Sequence, residues 1–173
     1  MNAPIAAALS LLAAAPAAAP DISSLNIEAL KALPLDQVQW KPADGLGGTD
    51  TAVLVGDPAK PGLYVVLNRF HPGAHSRPHY HPNNRYIMVV KGPWYVSTGL
   101  ADDIERTGVA LPQGSFVTHT GREVHYDGAK AGGGEAIVMI FGEGPGTRID
   151  CVGPNAEKGP GPCADALAKA RRP

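Results

Sequence analysis

Residues 73–92 read GAHSRPHYHPNNRYIMVVKG. At the centre of this stretch His79 and His81 flank Tyr80. On a strand, side chains two apart share a face, so the two imidazoles stand side by side while Tyr80 points away. A third imidazole from a neighbouring strand completes a facial set of nitrogen ligands and leaves positions open for water or substrate. Four histidines, His71, His75, His79 and His81, crowd together here, and His119 and His125 follow. Pro78 interrupts the strand between His75 and His79, so His75 reads either as an additional ligand or as a surface residue. His119 precedes the turn into His125 and suits a supporting role beside a metal or an exposed position as well as a chemical role. His71, followed by Pro72, reads as a strand end.

Outward from this stretch, the chain is a series of short runs rich in Val, Ile, Tyr and Trp, bounded by Gly, Pro, Asn or Asp. They predict strands near Gln37–Lys41, Ala52–Val55, Leu63–Phe70, Tyr86–Val90, Trp94–Thr98, Gly108–Leu111, Ser115–His119, Val124–Tyr126 and Glu135–Phe141. One short helix is expected over Ser23–Leu33, with Ile27, Leu30 and Leu33 at helical spacing and Pro34 as the stop. Without strong helices between the strands a βαβ plan is excluded. An immunoglobulin-like sandwich lacks its Cys…Trp…Cys arrangement, since Cys151 and Cys163 sit together beyond the last strand. An all-β jelly-roll barrel is therefore expected.

The same residues resemble the cupin family. Its first signature is Gly, five residues, His-x-His, three or four residues, Glu, six residues, Gly, and here Gly73, His79, His81, Arg85 and Gly92 occupy those spacings, with Arg in place of Glu. Its second is Gly, five residues, Pro-x-Gly, two residues, His, three residues, Asn. The corresponding residues are Gly114, Thr120, Arg122, His125 and Ala129, so the glycine and histidine match while Pro, Gly and Asn do not. The resemblance covers about Leu63 to Phe141. It implies a cupin jelly-roll β-barrel, or double-stranded β-helix, holding one divalent metal ion on His79, His81 and His125. Iron, zinc, nickel or manganese would fit. A guanidinium stays protonated and has no lone pair for a metal, so Arg85 cannot take the place of the missing Glu as a ligand. If Arg85 enters the barrel, it is placed to orient a substrate anion; the alternative is a side chain turned to solvent.

Composition narrows the function. The 15 Lys+Arg nearly balance the 16 Asp+Glu, which gives neither the basic excess of a nucleic-acid binder nor a polybasic membrane patch. A small-molecule partner is expected, and the resemblance admits a homodimer. Tyr86, Trp94 and Tyr95 read as filling of the barrel interior or a sheet face rather than chemistry, and Arg122 and Glu123 as loop charges at the mouth. No Ser-His-Asp motif, phosphate-cradling loop or dinucleotide fingerprint competes with the histidines. The expectation is a metal-dependent enzyme acting on a small anionic molecule, leaning to dioxygenase chemistry over lyase or isomerase chemistry because three neutral ligands resemble oxygenases that hold iron with three histidines. A non-catalytic periplasmic binding or sensing module is the alternative.

Met1–Ala19 is apolar and Ala-rich, with an Ile5–Ala15 run suited to a secretory signal and a small-x-small site at Ala15-Pro16-Ala17, although no Lys or Arg precedes the run. The expected organisation is a signal segment over 1–19, a linker and helix over 20–36, the barrel over 37–145 and a Gly/Pro-rich tail over 146–173. In an oxidising compartment Cys151 and Cys163 would close a loop in that tail; two free thiols would suit the cytosol, and spacing alone does not decide.

Overall fold

A computed structural model describes residues 21–26, 28–43 and 46–171. It divides into two units, residues 1–38 and residues 39–173. The expected signal segment lies outside the described residues.

In the first unit the helix expected over Ser23–Leu33 does not form among the described residues; isolated turns and a 3-10 turn over Leu35–Gln37 stand there instead. Side chains compete with helical hydrogen bonds in this segment. Ser23 N donates to Asp21 Oδ1 at 2.9 Å and Glu28 N to Asn26 Oδ1 at 3.0 Å, local bonds of the kind that favour turns.

In the second unit the strands are β1 (Lys41–Pro42), β2 (Thr49–Val55), β3 (Gly62–Phe70), β4 (His79–Tyr80), β5 (Arg85–Lys91), β6 (Trp94–Thr98), β7 (Val109–Leu111), β8 (Phe116–His119), β9 (His125–Gly128), β10 (Ala136–Gly144) and β11 (Ile149–Asp150). Two helices, α1 (Ile104–Thr107) and α2 (Pro162–Ala170), accompany them. The strand expected over Gln37–Lys41 is reduced to β1, which begins where that expectation ends. The paired strands build two antiparallel sheets, β1-β2-β3-β10-β5-β8 and β11-β4-β9-β6-β7. No described helix is long and apolar enough to cross a membrane.

Period-two burial places the core between the sheets. On β5 Ile87 and Val89 are buried while Tyr86 between Arg85 and Ile87 is exposed. Tyr64, Val66 and Phe70 of β3, Val138 and Ile140 of β10, and Trp94 of β6 join them in one apolar cluster. A second cluster lies on the other face of the five-stranded sheet, where Tyr80, Val124 and Ile149 meet Cys151, Cys163 and Ala166. This is where α2 packs. Cys151 and Cys163 are bonded to each other, with their Cα atoms 5.1 Å apart. The segment read as a tail thus contributes a strand, β11, paired to β4, and a docked helix.

β4 is short because prolines bracket its surroundings: Pro78 precedes it and Pro82 follows His81, and neither can donate to a ladder. Its outer neighbours fix it in place. His79 pairs with His125 of β9 on one side and with Asp150 of β11 on the other.

Candidate metal centre

The cross-strand pair His79–His125 brings two imidazoles to the same face, with ring centroids 4.6 Å apart. His81, just past the end of β4, adds a third ring 4.9 Å from His79 and 5.6 Å from His125. One nitrogen from each of the three lies within 4.8 Å of the others, and all three residues are buried. Strand parity pairs His79 with His81, and the cupin resemblance implies these same three residues.

The outer nitrogen of each ring is committed to a carbonyl. Nδ1–H donates to Arg77 O from His79 at 2.7 Å, to Thr147 O from His81 at 2.7 Å, and to Glu123 O from His125 at 3.0 Å. A carbonyl only accepts, so each neutral ring carries its proton on Nδ1 and presents an unprotonated Nε2. Nε2 of His81 and of His125 is buried with no hydrogen-bond partner. Burial holds the rings neutral. It pushes His81 down to about 2, helped by the Arg85 charge, and His125 down to about 4, again with Arg85 next in importance. His79 is likewise held well below the ordinary imidazole range by burial, then by His125. Three buried, neutral imidazoles with fixed tautomers, two of them with orphaned inward nitrogens, fit a divalent metal ion, and the carbonyls play the orienting part that metal-bound histidines ordinarily require.

No family model matches the sequence, and no curated protein matches it. Among solved structures, the chain is similar to the polyketide cyclase RemF from Streptomyces resistomycificus, at 15% identity and a TM-score of 0.55, over 69% of this chain and 81% of that one. It is also similar to a protein of unknown function with a cupin-like fold from Ralstonia eutropha, at 20% identity and a TM-score of 0.50, over 71% of this chain and 72% of that one. The fold is that of the cupins.

The cupin fold gives the signature positions a physical meaning. Gly73 and Gly114 both adopt left-handed backbone conformations, φ 83° and 85°, that glycine takes without steric cost. Arg122, standing where the second signature has Gly, also adopts φ 66°. Its N–H donates to His81 O at 2.7 Å, so the loop that carries this strained residue clamps the chain just past β4.

Arg85, at the Glu position of the first signature, begins β5 on the parity of the buried Ile87 and Val89 and sends its guanidinium into the barrel. Its Nη2 donates to His119 Nδ1 at 3.3 Å, and its Nε is buried without a partner. Burial lowers the guanidinium pKa; Asp127 and a hydrogen bond with Tyr64 support its charge. The solvent-facing alternative for Arg85 is therefore not what the structure adopts.

His119 is buried beside the triad, its ring centroid 3.8 Å from that of His125, and could form a second cluster with His125 and Asp127. Its chemistry argues against ligation. Burial, His125 and Arg85 hold it far below the usual imidazole range, so the ring is neutral; with Nδ1 accepting from Arg85, its proton is on Nε2. His75 is not brought to the triad: its Nδ1–H donates to Ser76 O at 3.0 Å, and the residue bridges to Gly128 of β9.

Two polar residues of the site, Asp127 and Arg148, were missed in the sequence, whereas Trp94 fills the barrel as it was read to do. Asp127 lies two residues beyond His125 on β9, fully inside, where burial raises its carboxyl to about 6 against the opposing pull of Arg85. Strand parity with His125 was the available signal. Trp94 is buried with its ring 5.8 Å from His119 and its Nε1 without a partner. Arg148 lies next to Thr147, the residue that fixes His81, and its charge acts on His79, His81 and His125. A cavity of about 500 Å3 between β6, β7 and β8 reaches His119 and His125, with Val96, Val117 and Val124 among its walls.

Proposed function

We propose that this protein is a metal-dependent enzyme that acts on a small anionic organic molecule, with one divalent ion on the Nε2 atoms of His79, His81 and His125. The observation that carries the reading is the set of carbonyl-locked tautomers, which turns three Nε2 lone pairs toward one another, those of His81 and His125 buried and unpartnered. A bound ion supplies Lewis-acid chemistry, or oxygen chemistry if it is iron.

Arg85 orients the substrate anion. Its buried Nε–H needs an acceptor, and neither a cation nor a protonated imidazole supplies one. A carboxylate or enolate does, and it offsets the guanidinium charge beside the metal. The lean is to dioxygenase chemistry, supported by an all-histidine donor set with no carboxylate among it. The disulfide supports export to an oxidising compartment, because such bonds persist there.

The test is metal analysis of protein purified without a polyhistidine tag, followed by oxygen-uptake assays against small acids and phenols. Stoichiometric iron with substrate-dependent uptake supports the dioxygenase reading. Turnover without oxygen consumption moves the assignment to lyase or isomerase chemistry. Folded protein that takes up no metal, or that keeps its full metal content in both His79→Ala and His81→Ala, overturns the metal centre itself.

A further inference from the structure

A pocket of about 400 Å3 lies at the β11 edge of the five-stranded sheet, lined by Arg77, Arg148, Asp150 and His75 among others. The register Ile149–Tyr80 and Asp150–His79 assigns its faces. Ile149 goes with Tyr80 to the outer apolar cluster, so Asp150, and Arg148 two residues before it, belong to the face on which His79 stands. β11 therefore brings a guanidinium and a carboxylate to the histidine side of the sheet. The charge of Arg148 also reaches Arg85 and Asp127 deeper in the barrel.

The polar balance of this pocket is cationic. Asp150 Oδ1 accepts from Arg148 Nε at 2.8 Å and stands 2.8 Å from Nη2, which neutralises that guanidinium but leaves part of its donor fork unused. Arg77 stands exposed at the rim, with no ion pair among the described residues. His75 has given Nδ1–H to a carbonyl and keeps Nε2 as a second polar edge. Two guanidinium groups face one carboxylate, in a concavity whose Asp150 is the strand partner of His79.

We propose that this pocket is an oxyanion site for an anionic end group of the substrate, a carboxylate or a phosphate, with Arg77 and Arg148 as the specificity-determining residues. Guanidinium forks match the geometry of either group. Asp150 holds Arg148 in position and competes with the incoming anion for its donors. The inference rests on the metal-dependent reading for the identity of the reacting end, but the pocket itself can be tested without metal.

The experiment is calorimetric titration of the full-length protein, metal-stripped and metal-loaded, with inorganic phosphate and with succinate at constant ionic strength. Arg77→Gln and Arg148→Gln each should weaken the preferred probe by about tenfold or more, the range of a lost charged hydrogen bond. Asp150→Asn should tighten it, a gain that a merely structural role for Asp150 does not produce. Preference for phosphate assigns a phosphorylated substrate, and preference for succinate a polycarboxylate. Failure of the wild type to bind either probe, unchanged binding in Arg77→Gln, or weaker binding in Asp150→Asn overturns the proposal. Metal content read on the same samples separates this failure from loss of the metal centre.

Discussion

Arg85 and His119 face each other across β5 and β8, and the guanidinium of the first donates to the imidazole of the second at 3.3 Å. This one bond settles two chemical questions. It occupies the lone pair with which His119 would reach a metal, and it ties the only charge at the Glu position to the wall of the barrel rather than to the ion. The centre is left with three neutral imidazoles that could hold an ion and an adjacent fixed cation.

Arg85→Ala is expected to keep stoichiometric metal and to weaken anionic ligands by about 1.5 to 3 kcal/mol, the scale of a charged hydrogen bond. Arg85→Glu should act in the opposite sense on the metal, raising its affinity while closing a coordination position, so activity falls as affinity rises. Ligand titration and metal competition assays measure the two effects. An Ala variant that binds and turns over every anionic ligand as the wild type does removes Arg85 from substrate recognition.

The metal-free protein should lose stability on mild acidification. His81 and His125 sit at about 2 and about 4 when folded, below the ordinary value near 6.5 that the unfolded chain restores. Between these limits the unfolded state binds more protons than the folded one, so stability is fully present above about pH 6.5 and drains away as the pH falls toward 4. Each such histidine contributes at most about 1.4 kcal/mol per pH unit in that window. Thermal melts of chelator-treated protein between pH 7 and pH 4.5 read the slope. A melting temperature that stays level or rises over that interval contradicts buried neutral imidazoles.

Much of this centre was legible in the sequence because it depends on local rules. His79 and His81 are two apart, and His125 follows at a spacing that the second signature repeats, so parity and resemblance converged on the triad. The inward turn of Arg85 was also within reach, since Ile87 and Val89 on its parity are apolar and buried. Arg148 was not. It lies in a Gly/Pro-rich stretch whose short strand exists only through pairing with β4, a long-range event that no local pattern announces. The N-terminal helix failed for the converse reason: apolar spacing suggested it, but Asp21 and Asn26 bond to nearby backbone N–H groups.

Arg122→Gly should stabilise the fold. The residue holds φ 66°, a conformation that costs a side-chain-bearing residue about 1 to 2 kcal/mol, and the cupin signature has glycine there. Part of that gain is lost to the greater freedom of glycine in the unfolded chain, which leaves an expected net of about 0.5 to 1 kcal/mol. Urea unfolding at neutral pH measures it, with metal stoichiometry as the control. A destabilised variant means that the Arg122 side chain makes a contribution larger than the strain it imposes.

Opening the Cys151–Cys163 bridge should loosen the metal centre as well as the C-terminal helix. The bond closes a sequence separation of 12 residues, and loops of this size are stabilised by about 3 kcal/mol in the chain-entropy account. Its effect is not confined to α2. Cys151 N donates to Pro78 O at 2.8 Å, immediately before His79, and Asp150 beside it pairs with His79. Four residues upstream of Cys151, Thr147 O receives the Nδ1–H of His81 and fixes its tautomer. The disulfide therefore anchors the strand that backs two of the three candidate ligands. Cys151→Ser/Cys163→Ser should lower the denaturation midpoint and also weaken metal binding, about 10-fold if the orienting bonds to His81 are disturbed as outer-sphere partners usually are. The comparison is made under conditions where both proteins remain folded, by competition with a chromophoric chelator. Loss of stability with unchanged metal affinity would show that β11 holds its register without the bridge, and would confine the disulfide's part to docking α2.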